Sequence, residues 1–274
     1  MKSFNFVFIS TNKRLCDRWN FHNQKLAELI PCNHSFEVYN LSIDSFVRHT
    51  SIDNTAFVSP TNSLGYMGGG YDKALLNCFT QDYKLLESKI QALLLNKNNG
   101  YTPLTSVNVI DVPDHDDAHD PSESSSESSS ASLSCPKLIL IPSMVIPERI
   151  ASPHVIFDSV WNLLLHLSSN PQHITNIVLP GIGGGYGHVD PDTIARLMIG
   201  AIYIYSLESE MNRLSQLKKS ILILFWLGKD YRKFENTYDI NELETHIVSD
   251  FGKSLKIVPN TILDWDALVK CIKW

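Results

Sequence analysis

The sequence predicts an α/β fold in which helices cover both faces of a mostly parallel sheet. Short runs rich in β-branched and aromatic residues recur along the chain, and segments with helical periodicity separate them. Strands that are apolar on both faces are typical of a parallel sheet, because helices bury it on each side. Since 43% of the 274 residues are hydrophobic, the chain can bury a full core. We expect one domain over residues 1–274.

The N-terminal half begins with a strand and ends with one long helix. Its strands are predicted from their β-branched and aromatic residues, at Phe4–Ser10, Phe36–Asn40 and Thr55–Ser59. A helix is predicted at Cys16–Leu29, between the first two strands. In Lys73–Leu95, apolar residues recur at steps of three and four, which predicts one long amphipathic helix.

The C-terminal half continues the same alternation. Further strands are predicted at Val107–Val112, Leu138–Ile141, Ile174–Leu179 and Ile221–Leu227. Further helices are predicted at Val155–Leu167, Pro191–Leu207, Asn241–Phe251 and Asp264–Cys271. Pro191 supports a helix start at that residue, because proline lacks an N–H group that the first helical turn would leave unpaired.

The net charge of −6 comes from one segment of the chain. Residues 111–134 carry seven carboxylates and no Lys or Arg, so the rest of the chain has a net charge of +1. Residues 113–135 are acidic, serine-rich and of low complexity, which predicts a disordered loop inserted between two neighbouring strands. Because the remainder is close to neutral and not strongly basic, we expect no nucleic-acid partner.

The cysteines and the apolar runs indicate the cellular compartment of the protein. Its five cysteines are widely spaced and form no CxxC pair, which is typical of reduced thiols inside the cell. The N-terminal segment has no signal-peptide pattern, and the longest apolar runs are far shorter than the roughly 20 residues that span a bilayer. We therefore expect a cytoplasmic or nuclear protein, or one found in both places, that is not secreted and has no membrane partner.

Two glycine-rich loops each follow a predicted strand and precede a predicted helix. The first glycine loop (residues 60–72) contains the sequence TNSLGYMGGGYD, and the second glycine loop (residues 180–190) begins with PGIGGGYG. Glycines let the backbone approach a ligand closely, and free N–H groups at a helix start bind anions. Because the carboxyl ends of parallel strands lie at one edge of a sheet, we expect the two loops to face each other across a crevice. Such a pair suits a pyrophosphate.

Three familiar functional motifs are absent from the sequence. A dinucleotide fingerprint G-x-G-x-x-G that starts at Gly181 or Gly183 does not reach its third glycine. The segment Gly252-Lys253-Ser254 ends like a P-loop, but Ile247 stands where the first glycine belongs. No G-x-S-x-G elbow of a hydrolase is present. The alternative that the glycines only form tight turns between strand and helix stays open.

The two glycine loops resemble those of the macro domain family, whose members bind ADP-ribose. The likeness extends from the first strand to about residue 225 and is strongest at Thr61–Asp72 and Pro180–Gly187. Residues 140–147, with the sequence LIPSMVIP, are also similar to a stretch of the branch that processes ADP-ribose 1″-phosphate. The resemblance implies a three-layer α/β/α fold with a mixed, mostly parallel central sheet. It also implies a small-molecule ligand, either ADP-ribose or ADP-ribose 1″-phosphate.

The resemblance assigns roles to residues of the two loops. Asn62 would hold the distal ribose, Asp72 would contact ribose or water, and Tyr186 is the nearest aromatic residue for covering the distal sugar. The other residues implied to contact the ligand in the first glycine loop are Thr61, Gly68, Gly69 and Gly70. The residues implied to wrap the diphosphate are Gly181, Ile182, Gly183, Gly184, Gly185, Tyr186 and Gly187.

Two positions depart from the family pattern. Ser42, followed by Ile43, stands where the family usually reads the adenine amino group with an Asp. The Ser42 hydroxyl can still hydrogen-bond adenine, without the charge-assisted contact of a carboxylate. Leu76 stands where members that remove ADP-ribose from proteins often carry a His. We therefore expect action on a small molecule rather than on protein-linked ADP-ribose.

The leading hypothesis is hydrolysis of the terminal phosphate of ADP-ribose 1″-phosphate. Asn62 would orient the ribose, and Asp72 would position or activate water. Amides of residues 183–187 would stabilise charge on the phosphoryl oxygens, and His188 is a candidate acid for the leaving oxygen. No metal-ligand spacing is evident, so the hypothesis includes no metal and no cofactor. Two alternatives remain open: a non-catalytic reader of ADP-ribose, and a degenerate fold of this family that acts in protein interaction.

Overall fold

The computed structural model describes residues 2–28, 30–111, 136–170, 174–207 and 213–229. Its strands are β1 (Asn5–Ile9), β2 (Ser35–Tyr39), β3 (Thr55–Ser59), β4 (Asn108–Asp111), β5 (Lys137–Leu140) and β6 (Asn176–Leu179). Its helices are α1 (Lys13–Ala27), α2 (Ile43–His49), α3 (Gly70–Phe79), α4 (Tyr83–Asn98), α5 (His154–Ser169), α6 (Pro191–Ser206) and α7 (Arg213–Trp226). The acidic segment 113–135 and the helices predicted at 241–251 and 264–271 lie outside the described residues. None of the described helices has the length and apolar character needed to cross a membrane.

The six described strands form one mixed, mostly parallel sheet, as predicted. Their order is β2-β1-β6-β3-β5-β4. β4 and β5 pair antiparallel, and the other neighbours pair parallel. Because β6 lies directly beside β3 and runs parallel to it, the two glycine loops leave the same edge of the sheet on neighbouring strands.

The acidic segment connects two paired strands. Asp111 at the end of β4 is the register partner of Lys137 at the start of β5, and the two side chains form an ion pair. The pairing expected for the strands that flank this segment is therefore observed, at the edge of the sheet farthest from β2.

Helices cover both faces of the sheet and give three layers. Along β1, Phe6 and Phe8 contribute to one apolar cluster and Val7 and Ile9 to the other, as the two-residue period of a strand requires. The first cluster includes residues of α1, α5, α6 and α7, and the second includes residues of α2, α3 and α4. The predicted three-layer α/β/α fold is confirmed.

The single helix predicted over Lys73–Leu95 is wrong, because the structure has two helices there. α3 ends at Phe79 and α4 begins at Tyr83. Asp82 starts the second helix, since its carboxylate accepts hydrogen bonds from the N–H groups of the second and third helical residues. The apolar periodicity continues through the break because both helices pack against the same cluster. The seven-residue helix α2 has no counterpart among the predicted elements.

The strand predicted at Ile221–Leu227 is wrong, because residues 221–226 belong to α7. An apolar run of this length is compatible with a strand or with a buried helix, and its periodicity does not separate the two. Leu222 and Trp226, four residues apart, are both buried in the first cluster. Trp226 lies directly against α6, where a Cβ placed on Gly200 would be 2.1 Å from atom Cε2 of its ring.

The substitution Gly200→Ala is expected to disturb the packing of α7 on α6. The added methyl group would overlap the buried Trp226 ring, so relief requires a shift of the helix or the ring. We expect the free energy of unfolding to fall by about 1–3 kcal/mol, the usual cost of overpacking. Denaturant unfolding measures the change, with Gly185→Ala as the steric control because a Cβ there meets nothing within 4 Å. Equal stability of the two variants would contradict this packing.

Candidate functional site

A cavity of about 740 Å³ lies where the two glycine loops follow β3 and β6. Residues of both loops line it, together with Glu87 of α4 and three residues from the segment after β5. The lining residues are Pro60, Thr61, Asn62, Tyr66, Gly68, Gly69, Gly70, Tyr71, Asp72, Glu87, Ser143, Met144, Pro147, Pro180, Gly181, Gly183, Gly185, Tyr186 and His188. Among these described lining residues, none is Lys or Arg, so backbone amides are the main groups available to an anion.

The side chain of Asn62 organises the first glycine loop. Its Nδ2 donates a hydrogen bond to the Tyr66 carbonyl at 2.8 Å, and its Oδ1 accepts from the N–H groups of Leu64 (3.1 Å) and Tyr66 (3.3 Å). Thr61 Oγ1 donates to the same Tyr66 carbonyl at 3.4 Å. Asn62 therefore lines the cavity, while its amide is already engaged by the backbone of its own loop. Its contact with a ligand stays a prediction.

The glycines at the end of the first glycine loop leave backbone donors unpaired. Gly68 and Gly69 line the cavity, and their N–H groups donate to no acceptor among the described residues. Gly70 has a φ of +55° and is the first residue of α3, so these amides precede a helix N-terminus. Unpaired donors at a helix start are suited to an anion or to the oxygens of a sugar.

The second glycine loop folds on itself and forms a second set of donors. The N–H groups of Gly184 and His188 each donate to a carbonyl three residues earlier, and that of Val189 donates to the Gly183 carbonyl, all at 3.1 Å. The N–H groups of residues 185–187 have no acceptor among the residues that the structure describes. Gly183 has a φ of +83°. Consecutive free amides in such a loop form an anion-binding nest.

Tyr186 connects the two loops across the cavity. Its side chain is 60% exposed, and its Oη lies 3.6 Å from the position of a Cβ placed on Gly69. A residue of the second glycine loop thus reaches the glycines of the first, and the predicted crevice between the loops is confirmed.

Asp72 is a half-buried carboxyl group in the wall of the cavity. It lies in the first turn of α3, and Ser59 Oγ donates a hydrogen bond to its Oδ1 at 2.6 Å. Burial raises the pKa of Asp72 to about 6, and the hydrogen bond from Ser59 opposes this rise. A carboxyl group whose pKa is near 6 can exchange a proton close to neutral pH, as general acid–base catalysis requires.

His188 lies at the end of the second glycine loop and lines the same cavity. It is exposed and has a φ of +49°, a left-handed backbone conformation in which its N–H donates to the Gly185 carbonyl at 3.1 Å. Asp72 and His188, the two predicted proton-transfer residues, are therefore brought to one cavity from different loops. No group of three or more His, Cys, Asp or Glu in the described ranges is placed to hold a metal ion.

Five of the residues predicted to bind the ligand do not line the cavity. Ile182 is fully buried in the first apolar cluster, and Ile43 is buried in the second. The Ser42 hydroxyl donates to Ser45 Oγ at 3.1 Å, at the start of α2. Gly184 and Gly187 belong to the second glycine loop but are also absent from the lining. A role for Ser42 in recognising adenine stays a prediction.

Several lining residues had no role in the sequence analysis. Ser143, Met144 and Pro147 fall within the LIPSMVIP stretch, so its resemblance already pointed to them. Tyr66 and Tyr71 lie within the first glycine loop and could have been found by their position. Glu87 could not, because nothing in the sequence of α4 distinguishes it from the other polar residues of that helix.

Comparison with known proteins finds one family whose model spans most of the chain. The macro-like domain family matches residues 7–251 of the chain. The macrodomain of Mycobacterium tuberculosis DarG is a similar solved structure, with a TM-score of 0.41 and 14% sequence identity. That similarity covers 58% of this chain and 86% of the DarG chain. Because the family match covers most of the sequence, the chain belongs to the macro-like domain family.

Proposed function

We propose that the protein binds ADP-ribose in this cavity and hydrolyses the terminal phosphate of ADP-ribose 1″-phosphate. The observation that carries the proposal is the position of Asp72, a half-buried carboxyl group whose pKa is about 6, at the end of the first glycine loop and in a cavity that both loops line. ADP-ribose binding is typical of the macro-like domain family, and the phosphatase step is our inference from the site.

In the proposed reaction, the amides of the second glycine loop hold the diphosphate and those of the first approach the distal ribose. Ionised Asp72 accepts a proton from water, and the water oxygen attacks phosphorus. The bond between phosphorus and the 1″-oxygen breaks, and His188 donates a proton to that oxygen. The products are ADP-ribose and inorganic phosphate, so water supplies every atom added.

Thermal unfolding with and without ligand, together with a phosphate-release assay, tests the proposal. We expect ADP-ribose to raise the melting temperature, because a ligand specific for the native state stabilises it by mass action. We also expect ADP-ribose 1″-phosphate to release phosphate, with AMP as the control phosphomonoester that lacks the distal ribose. If ADP-ribose leaves the melting temperature unchanged, the proposed binding is refuted. The alternative that the fold is degenerate and acts in protein interaction then gains support.

A second candidate function is a reader that binds ADP-ribose without turnover. The observation that favours it is the engagement of the Asn62 amide by the loop backbone, which leaves that side chain less able to orient a ribose for reaction. A raised melting temperature with ADP-ribose, and no phosphate release from ADP-ribose 1″-phosphate, would select the reader over the phosphatase.

A further inference from the structure

Helix α4 contacts the first glycine loop at two points, one at Gly65 and one at Met67 and Gly68. At Gly65, whose φ is +73°, a Cβ would lie 2.8 Å from Leu94 Cδ1 and 3.5 Å from Gln91 Cγ, so the loop backbone lies directly on the helix. One helical turn before Gln91 on α4, Glu87 Oε1 accepts a hydrogen bond from the backbone N–H of Met67. The same oxygen is 3.7 Å from the position of a Cβ on Gly68.

We propose that Glu87 is a positioning residue that holds the first glycine loop in the shape that binds ligand. For its effect on affinity, this inference rests on the proposed binding of ADP-ribose. The hydrogen bond itself joins Glu87 to Met67 in the protein alone, and it can be tested without any ligand.

The position of Met67 explains why one hydrogen bond matters there. Its side chain is fully buried in the second apolar cluster, and its N–H is bound by the carboxylate. The next three residues are glycines, which have the greatest backbone freedom of any residue type. Met67 is therefore the last side-chain anchor before the free amides of Gly68 and Gly69, and Glu87 fixes its backbone.

Loss of this hydrogen bond should cost affinity through ordering of the loop. A hydrogen bond to a carboxylate is stronger than one between neutral groups, and without it the glycines sample more conformations in the free protein. Binding must then order them again, and that cost is subtracted from the binding free energy. Asn62 holds the other end of the same peptide unit, since its Nδ2 donates to the Tyr66 carbonyl, and Glu87 is the acceptor for the N–H at the end that leads into the glycines.

Glu87 also lines the cavity, so a direct contact with ligand is the competing explanation for any effect. The substitution Glu87→Gln separates the two. The amide oxygen of Gln can accept the Met67 N–H hydrogen bond, whereas the negative charge is lost. Glu87→Ala removes both the acceptor and the charge. Ser88→Ala, at an exposed position next to it on α4, is the matched control.

The first measurement is amide hydrogen exchange in the full-length protein without ligand. We expect the Met67 amide to exchange at least about tenfold faster in Glu87→Ala than in the parent, because it loses its only acceptor among the described residues. Glu87→Gln and Ser88→Ala should stay close to the parent. Unchanged exchange in Glu87→Ala would overturn the proposed positioning role, whether or not the protein binds ADP-ribose.

The second measurement is ADP-ribose affinity by calorimetry. We expect Glu87→Ala to weaken binding about tenfold and Glu87→Gln to recover most of it. Equal weakening by both variants would overturn the positioning role, because the affinity would then depend on the charge of Glu87 and not on its hydrogen bond to Met67. Fast exchange in Glu87→Ala with no binding of ADP-ribose by the parent would sustain the role in shaping the loop and refute the proposed function instead.

Discussion

The variant Asp72→Asn is expected to lose phosphate release and to be more stable than the parent at pH 7.5. Asparagine cannot accept a proton from water, and loss of a general base typically costs about 10²–10⁴-fold in rate. The amide oxygen can still accept the hydrogen bond that Ser59 Oγ donates to Asp72 at 2.6 Å, so the local structure is retained. The binding of ADP-ribose should therefore survive the substitution.

The gain in stability follows from the pKa of Asp72. In the folded protein burial raises this pKa from the ordinary value of 3.8 to about 6, so the folded state holds the proton more tightly than the unfolded chain. Stability contributed by the protonated form is complete below pH 3.8 and is lost as the pH rises towards 6. Above that pH the half-buried carboxylate costs about 1–3 kcal/mol, which Asn does not incur.

We expect Asp72→Asn to raise the free energy of unfolding by about 1–3 kcal/mol at pH 7.5, or the melting temperature by a few degrees. At pH 4.5 the difference should shrink to about one third, because the carboxyl group is then largely protonated in the folded state. Denaturant unfolding at the two pH values measures the change. A variant that is less stable than the parent at pH 7.5 would show that the carboxylate is not destabilising as proposed.

The substitution Ser59→Ala provides a matched test of the same carboxyl group. Ser59 is fully buried at the end of β3, and its hydrogen bond lowers the pKa of Asp72. If ionised Asp72 is the base, kcat/KM rises with pH to a plateau above about 6, and loss of the Ser59 hydroxyl moves this rise to higher pH. A rate that falls as the pH passes 6 would mean that protonated Asp72 is the active form.

The glycine loops could be recognised from sequence because their chemistry is local. Each loop follows a strand and precedes a helix, and the run of glycines needs no distant residue to be informative. The crevice was predictable for the same reason, since parallel strands place their carboxyl ends together. The prediction did not extend to the strand order, because only the folded sheet shows that β6 lies beside β3.

The features that sequence analysis missed depend on contacts between distant elements. Glu87 faces the cavity because α4 packs under the first glycine loop, and its own sequence surroundings are ordinary for a helix. The run at Ile221–Leu227 lies in a helix whose Trp226 packs on Gly200 of α6, a contact between distant residues with no local signature. Asn62 was recognised as a site residue, whereas its hydrogen bonds to its own loop emerged only from the folded structure.

The variant Gly187→Ala is expected to disrupt the second glycine loop and to weaken ADP-ribose binding by about 5–150-fold. A Cβ on Gly187 would lie 2.6 Å from the Gly183 carbonyl oxygen and 2.7 Å from Ile150 Cδ1. The Ile150 side chain can move, but the carbonyl oxygen belongs to the loop backbone and accepts the Val189 N–H hydrogen bond at 3.1 Å. The strain should cost about 1–3 kcal/mol and displace the free amides of residues 185–187.

The double variant Gly187→Ala with Ile150→Ala distinguishes backbone strain from side-chain crowding. Truncation of Ile150 removes the contact at 2.7 Å and leaves the one with the Gly183 oxygen at 2.6 Å, so we expect it to restore little of the lost affinity. Ile150→Ala alone is the control for the effect of truncation itself. Calorimetric titration with ADP-ribose measures all three variants against the parent. Full recovery in the double variant would show that the backbone contact does not limit the loop, and unchanged affinity in Gly187→Ala would remove the second glycine loop from the binding site.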